Sequence, residues 1–509
     1  MVKKSILLLL SLVLVFSFSV VNAQDVKNPE KFTYVRSGNI PTLDPSWGYN
    51  SETTMVVTQV YENLIKYKGK SINEYEPLLA TKVPSIENGL ISEDGLTYKF
   101  PIREGVTFSN GNKLTPEDVK YSFMRSLIQS RAGGPTWMLY EPLLGVHGLS
   151  GVTEDVVGVS DPNKLTPTQS AEVYAELDKH IEVKDNMVVF HLTQSYPPFM
   201  QILSQSSSWS AIMDKEWCIE QGAWDGSVVT IPEYYDVAKE DDPLYDKMMG
   251  TGPFVFDKWV KGDRIVFKRN DNYWGEKANF ETAIIRYVDE YSTRKLMLQR
   301  GDADMIYATR QYIDQLKQMD GVMVKAGHPE LQDMIGIMNW GITTKGNEAV
   351  GSAKLDGKGI PADFFADEDV RKGFSYAFNY KAFIEQVRRG LSERVRGPVV
   401  KPLLGYDEDS KVIKHNMEKA KQHFQKAFDG ELWDKGFEMT VLYNSGNPSR
   451  KIASDIIKTY VEKINPKFDV KVRGVQWSTY LDSLLQGKFT LGFMGWSVDF
   501  PDPHNFVTP

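Results

Sequence analysis

An indole, a carboxylate and a stiffened backbone stand close together in Gly495-Trp496-Ser497-Val498-Asp499-Phe500-Pro501-Asp502-Pro503. A carboxylate shielded from water makes a strong charge-assisted hydrogen bond to an ammonium or guanidinium group. An indole face packs on flat or apolar groups with little geometric demand. The combination suits noncovalent capture of a solute. By residue type alone, Asp499 equally caps the turn before Pro501, a common use of Asp, and Asp502, between two prolines, reads as a turn residue. A glycosidase pair would need a fixed carboxylate separation across a sugar, which sequence spacing does not set.

Other catalytic patterns do not appear. The seven histidines are scattered, with no His-Glu-x-x-His. No Gly-x-Ser-x-Gly nucleophile turn occurs. Gly69-Lys70-Ser71 has Leu64 where a phosphate loop needs glycine. No metal and no cofactor is expected. Arg371, Arg388, Arg389, Arg394 and Arg396 read as solvated faces and salt-bridge partners. Cys218, the single cysteine, lies between Trp217 and Ile219 and reads as a small buried hydrophobe. Without a second cysteine the chain has no internal disulfide.

The elements that must hold Trp496 and Asp499 lie in the C-terminal third. Residues 439–443 read as a strand, 444–448 as a turn, and 450–464 as a helix with Ile452, Ile456, Tyr460 and Ile464 on one face. Residues 468–475 form a second strand, 477–485 a short helix and 489–494 a third strand. Strand–helix–strand–helix–strand implies a parallel sheet with right-handed crossovers. Ligands of such sheets lie beyond the carboxyl ends of the strands, and here those ends are residues 444–447 and 495–502. Earlier, Asn88-Gly89, Asp94-Gly95 and Asn110-Gly111 punctuate short alternating stretches that read as hairpins. Thr115-Pro116-Glu117-Asp118 opens a helix, with Thr115 as N-cap and Val119, Phe123, Met124, Leu127 and Ile128 as its apolar stripe. Of the 11 tryptophans, Trp47, Trp209, Trp340, Trp477 and Trp496 fall near loops or strand ends, where some can face a cleft.

At 509 residues the chain should hold two or more domains. A net charge of −8 argues against nucleic acid or anionic lipid as partner. Lys3 and Lys4 precede an apolar run over residues 6–21 broken only by serines, and Val21-Asn22-Ala23 offers small residues for cleavage. This reads as a secretory signal over residues 1–23, cleaved after Ala23. The run is short of the ~20 apolar residues a spanning helix needs. No cysteine follows it to take a lipid anchor. The mature chain is therefore expected outside the cytoplasm.

Blocks spread over the mature chain carry a resemblance. They include Leu43-Asp44-Pro45, Val60-Tyr61-Glu62-Asn63-Leu64, Glu76-Pro77-Leu78-Leu79-Ala80 and Asp94-Gly95-Leu96-Thr97-Tyr98-Lys99-Phe100. Arg103-Glu104-Gly105-Val106-Thr107-Phe108, Leu114-Thr115-Pro116-Glu117-Asp118-Val119 and Gly250-Thr251-Gly252-Pro253-Phe254 follow. Then come Asn270-Asp271-Asn272-Tyr273-Trp274-Gly275, Leu298-Gln299-Arg300-Gly301-Asp302-Ala303-Asp304, Asp369-Val370-Arg371, Tyr376-Ala377-Phe378-Asn379, and Gly495-Trp496 through Pro503. In number and order they resemble the family 5 extracellular solute-binding proteins of ABC importers, which include dipeptide, oligopeptide and nickel binders and some oligosaccharide binders. The resemblance implies an α/β, two-lobed periplasmic-binding-protein fold (class II, cluster C type) with an inserted α+β domain. Lobe one would be 24–70 with 201–290, the insert 71–200, and lobe two 291–509.

The resemblance also implies roles. Asp499 would pair with a peptide's α-ammonium, and Trp496 and Trp477 would wall side-chain pockets. Asn444 stands near the place where dipeptide binders carry an arginine, and no arginine follows until Arg450. Phe493 stands where several oligopeptide binders carry another. Neither familiar carboxylate anchor is therefore present. The implied protein is no enzyme. It would be a periplasmic monomer that captures a small oligomeric solute, a peptide or alternatively an oligosaccharide, and delivers it to ABC permease transmembrane subunits. A secreted hydrolase is the reading from another class. Family members continue past the Gly-Trp-x-x-Asp segment, so the chain reads as truncated at its C-terminus.

Overall fold

The computed structural model describes residues 26–204, 207–328 and 330–507, and the expected signal segment lies outside them. The first of its sheets has five strands in the spatial order Met305–Ile306, Lys31–Arg36, Thr282–Tyr287, Arg264–Arg269, Phe254–Val260. Lys31–Arg36 is parallel to both neighbours, and the last three strands form an antiparallel meander. Three distant sequence blocks meet beside this sheet at Glu62, which is 5% exposed. Thr251 Oγ1, Tyr273 Oη and Trp274 Nε1 each donate to its carboxylate at 2.8 Å. A Cβ on Gly250 or Gly252 would lie 2.1 or 2.7 Å from the Val60 carbonyl oxygen, so only glycine lets that loop cross the helix end.

The helix Pro116–Gln129 starts as its sequence dictates. Thr115 and Asp118 form a reciprocal capping box, and Val119, Phe123, Met124, Leu127 and Ile128 are all buried. The hairpin expectation needs correction. Gly89, Gly95 and Gly111 do adopt positive φ in turns, but these close only the single bridges Ile91–Tyr98 and Thr107–Lys113. The strand Thr97–Pro101 pairs instead with Met187–His191, which also pairs with Ile181–Lys184. Local turn chemistry specified the turns and could not specify a partner so distant in sequence. The expected insert thus has its own sheet. Its apolar side chains nevertheless join those of the first sheet in one core running from Ile40 to Tyr287. Cys218 is fully buried in it, and burial pushes its thiol pKa up.

The second main sheet has the order Ile335–Met338, Leu491–Met494, Phe437–Asn444, Phe468–Val475. The last three strands are parallel, as the alternating pattern required. The antiparallel edge strand Ile335–Met338 was not legible in advance. Helices Pro448–Ile464 and Trp477–Leu485 make the crossovers. The longer helix faces inward one position away from the expected stripe. Ala453, Ile457 and Val461 are buried, while Ile452, Ile456, Tyr460 and Ile464 are half-buried at the flank. A second core, from Ile342 to Phe493, lies between this sheet and its helices.

The change of core expected at residue 291 comes later, because Met305–Ile306 still belongs to the first sheet. The chain also returns to the first core at Phe500, which is 0% exposed. A two-residue strand and a single returning aromatic leave no periodic signal.

At the centre of the first core, Arg125 pairs with Asp44, and Asp242 lies 3.9 Å from it; all three side chains are at most 3% exposed. Arg125→Leu leaves two buried carboxylates without their cation and should destabilise the protein by about 3–5 kcal/mol. Urea unfolding followed by tryptophan fluorescence measures this, and a loss below ~1 kcal/mol would show the pair to be dispensable.

Candidate functional site

Asn444 ends a strand whose Leu442 is in register with Gly492 of the neighbouring strand. Adjacent strands lie ~4.8 Å apart, so residues following Asn444 and Met494 leave the sheet side by side. Gly495 begins the second exit. A Cβ there would stand 2.8 Å from the Asp333 carbonyl oxygen, so glycine permits the close approach. Asp333 Oδ1 then accepts the Trp496 backbone N–H at 2.9 Å. Gln332 bonds Ser497 Oγ at 2.8 Å, and Val498 N–H donates to the Leu331 carbonyl.

Asn505 ties the indole to the carboxylate. Its Oδ1 accepts from Trp496 Nε1 at 3.0 Å and from the Asp499 backbone N–H at 2.8 Å, and its Nδ2 donates to Asp499 Oδ2 at 3.1 Å. The remaining donor comes from the first core, where Tyr49 Oη gives a 2.6 Å hydrogen bond to Asp499 Oδ2. The Tyr49 ring stands edge-on to Trp496 and to Trp209, with centroids 6.2 and 6.3 Å away. Phe500 and His504 dock nearby, His504 Nε2 lying 2.7 Å from Glu141 Oε2 beside Trp137 and Tyr196. Asp499 thus sits where the two cores meet. No cation among the described residues pairs with it. Burial outweighs the hydrogen bonds from Tyr49 and Asn505 and raises its pKa to about 6.

Trp477 opens its helix beside the same strand ends, with its ring centroid 6.0 Å from that of Tyr480. Arg450, in the first turn of Pro448–Ile464, donates from Nη1 to Asn444 Oδ1 at 2.8 Å. Its guanidinium lies 5.3 Å from the Trp477 ring centroid and 5.6 Å from that of Tyr480. Across from them, a Cβ on Gly446 would come within 3.3 Å of Ser37, which follows the first sheet's strand Lys31–Arg36. A cavity of about 180 Å³ lies between the cores, lined by Asn39, Pro41, Trp259, Lys261 and Tyr287 on one side and Ser478 on the other.

The structure therefore brings Asp499 and Trp496 together, and Asn444 and Trp477 together, along one edge of the second sheet. Asp502 is the expected turn residue, its Oδ1 accepting the His504 N–H at 2.9 Å. Tyr49, Asp333, Asn505 and Arg450 were missed as parts of this edge. The Asn505 signal was readable afterwards as a polar residue in the short turn following Asp502-Pro503. Tyr49 gave none, being 450 residues from Asp499. Among the other candidate tryptophans, Trp209 is buried, Trp47 is covered by Arg131, and Trp340 is 60% exposed under Arg371. Phe493 points into the second core, its ring 5.6 Å from Phe378. A larger cavity of about 770 Å³ opens over the second sheet beside Ile335, Phe378 and Phe493. Arg388 and Arg394 line it and form no ion pair with a described carboxylate, contrary to the expectation of simple salt-bridge faces.

Residues 74–509 match the family model for bacterial extracellular solute-binding proteins, family 5. The chain belongs to this family. It is 27% identical over 471 residues to the dipeptide-binding protein of Escherichia coli, covering 88% of this chain and 75% of that one. It is 26% identical over 463 residues to heme-binding protein A of Haemophilus influenzae, covering 89% and 71%. Its fold superposes on the periplasmic binding protein DppA of Helicobacter pylori, solved with the peptide STSA. That match has a TM-score of 0.68 and 22% identity, over 94% of this chain and 80% of that one. The chain accordingly has the two-lobed periplasmic-binding-protein fold, and Asp499 lies where the lobes touch.

The raised pKa of Asp499 makes its ionisation costly in the free protein. That cost is absent below pH ~4, where the carboxyl is protonated folded or unfolded, and is fully present above pH ~6. Asp499→Asn should therefore melt higher than the native protein at pH 8, by at most about 3 kcal/mol, and the gap should close near pH 4. Differential scanning calorimetry at the two pH values reads this, and a gap independent of pH would refute burial as the cause.

Proposed function

We propose that this protein is the substrate-binding component of an ABC importer, capturing peptides between its lobes and handing them to a membrane permease. The observation that carries the reading is the Asp499 carboxylate. It is buried between the lobes, held by Tyr49 and Asn505, and has no cation of its own. A peptide α-ammonium supplies the missing charge, and a water-excluded site makes that hydrogen bond strong. Trp496 and Trp477 offer flat faces to side chains of many shapes. Asn444, at the neighbouring strand end, offers a polar contact. Ligand contacts made only when the lobes close shift the open–closed equilibrium toward the closed form. The permease subunits would then read the closed pair of lobe surfaces.

The dipeptide and peptide names of the relatives support peptides over oligosaccharides as cargo. The division into lobe one, an insert over 71–200 and lobe two belongs to the same reading, with Phe500 returning the chain to lobe one. The protein would be exported on its first 23 residues, freed by cleavage after Ala23, and work outside the cytoplasm as a monomer. On this reading the protein works by binding and release, as the binding-protein names of its relatives support.

Calorimetric titration with alanine peptides of two to five residues tests the assignment. Native protein should bind at least one length, and Asp499→Ala or N-acetylation of the peptide should weaken binding by ~30-fold or more. Unchanged affinity in Asp499→Ala removes the ammonium role. Heat-stabilisation by cello- or xylo-oligosaccharides, with none by peptides, would turn the assignment to sugars.

A further inference from the structure

The cavity of about 180 Å³ between the lobes is basic, in a protein of net charge −8. Lys239 and Lys261 line it, and no acidic residue does. Lys261 sits in the tight turn between the strands Phe254–Val260 and Arg264–Arg269, where Gly262 takes a positive φ and the Asp263 N–H donates to the Val260 carbonyl. That turn carries the ammonium over two aromatic faces, with Nζ 4.4 Å from the Tyr245 ring centroid and 5.4 Å from that of Trp259. Ring faces orient a cation and do not neutralise it. Lys261 pairs with no carboxylate among the described residues. Asp263, two positions on, is already held by Arg264 and Arg286. Lys239 lies 3.3 Å from Glu240, whose side chain is 74% exposed, and a surface pair of that kind is worth little. Another donor is idle. Tyr287, also in the lining, is 7% exposed, and its hydroxyl has no hydrogen-bond partner among the described residues.

Size and position restrict what fits. Sites that enclose whole drug-sized ligands measure ~300–1,000 Å³, so a cavity of about 180 Å³ takes one side chain and not a whole peptide. Its lobe-two wall is Ser478, the residue after Trp477, and its lobe-one wall begins just beyond Ser37, which stands against Gly446. The cavity therefore adjoins the edge that carries Asn444 and Trp477. An apolar or cationic side chain enclosed there would strip water from two ammonium groups and return nothing. A carboxylate would accept charge-assisted hydrogen bonds from both. We propose that this cavity is a side-chain pocket for an acidic residue of the bound peptide, with Lys261 and Lys239 receiving its carboxylate, so that the protein favours peptides containing glutamate or aspartate. This rests on the peptide reading above and concerns a side chain within the peptide, not its ends. Lobe one supplies the lysines and lobe two closes the cavity, so the pairing is complete only when the lobes meet and adds to the bias toward closure.

The test uses alanine peptides of two to five residues with free termini, each carrying one glutamate, glutamine or leucine at each position in turn. All share the same terminal carboxylate, so the ratio of glutamate to glutamine affinity at one position isolates the side-chain charge. Native protein, Lys261→Gln, Lys239→Gln and the double variant are titrated by calorimetry, with melting curves to confirm folding. Native protein should prefer glutamate to glutamine at one position by at least ~10-fold, with leucine no better than glutamine. Lys261→Gln should cut that preference to ~3-fold or less, and the double variant should abolish it. Equal affinity of native protein for glutamate and glutamine at every position overturns the proposal. So does a preference that persists in the double variant, including one that persists while all peptides weaken alike. If native protein binds none of the peptides, the peptide reading fails and the acidic pocket falls with it, whereas loss of the glutamate preference alone leaves that reading standing.

Discussion

Phe500 fixes the geometry of everything around the candidate site. The loop that carries it leaves a strand of the second sheet at Met494, yet its ring is fully buried in the first core. Burying such a ring is worth roughly 2–3 kcal/mol, enough to hold the segment across the boundary between lobes. Asp499 is the residue immediately before it. Once Phe500 is seated, the Asp499 carboxylate has to stand between the lobes, within reach of Tyr49 on one side and Asn505 on the other. The two prolines that follow limit the ways the backbone can relax this placement.

Around that constraint the polar groups are arranged so that orientation is satisfied and charge is not. Asn505 uses both ends of its amide on Trp496 and Asp499. Asn444 does the same kind of work for Arg450. In each case a neutral partner fixes a charged group without cancelling it. Elsewhere the fold satisfies buried charges with partners that are charged in some places and neutral in others. Arg125 meets Asp44, and Glu62 collects three donors from two separate loops.

Parts of this were legible in the chain. The helix beginning at Pro116, the strands near 437 and 468, and the short helix at Trp477 all emerged where pattern and capping chemistry put them. These depend on neighbours within one or two turns. The inward face of Pro448–Ile464 was misjudged by one position, because its helix packs with small residues, Ala453 and Ser454, that an apolar count passes over. The strand at Thr97 was right and its partner wrong, since turn residues state where a chain bends and not what it returns to. The edge strand Ile335–Met338 pairs with a strand over 150 residues away and carries no alternating signal of its own.

Sequence by itself determined the family, the parallel βαβ core and the two exits from it at Asn444 and Gly495, because each rests on local pattern or on ordered motifs along the chain. It also determined that Asp499 and Trp496 share one short loop. Tertiary structure alone decided that Asp499 is stripped of water and left without a cation, and that Asn505 and Tyr49 hold it. It alone decided that Arg450, six residues beyond Asn444, folds back onto it. Desolvation and charge balance are properties of everything packed around a group, and in this protein that packing joins residues up to 450 positions apart.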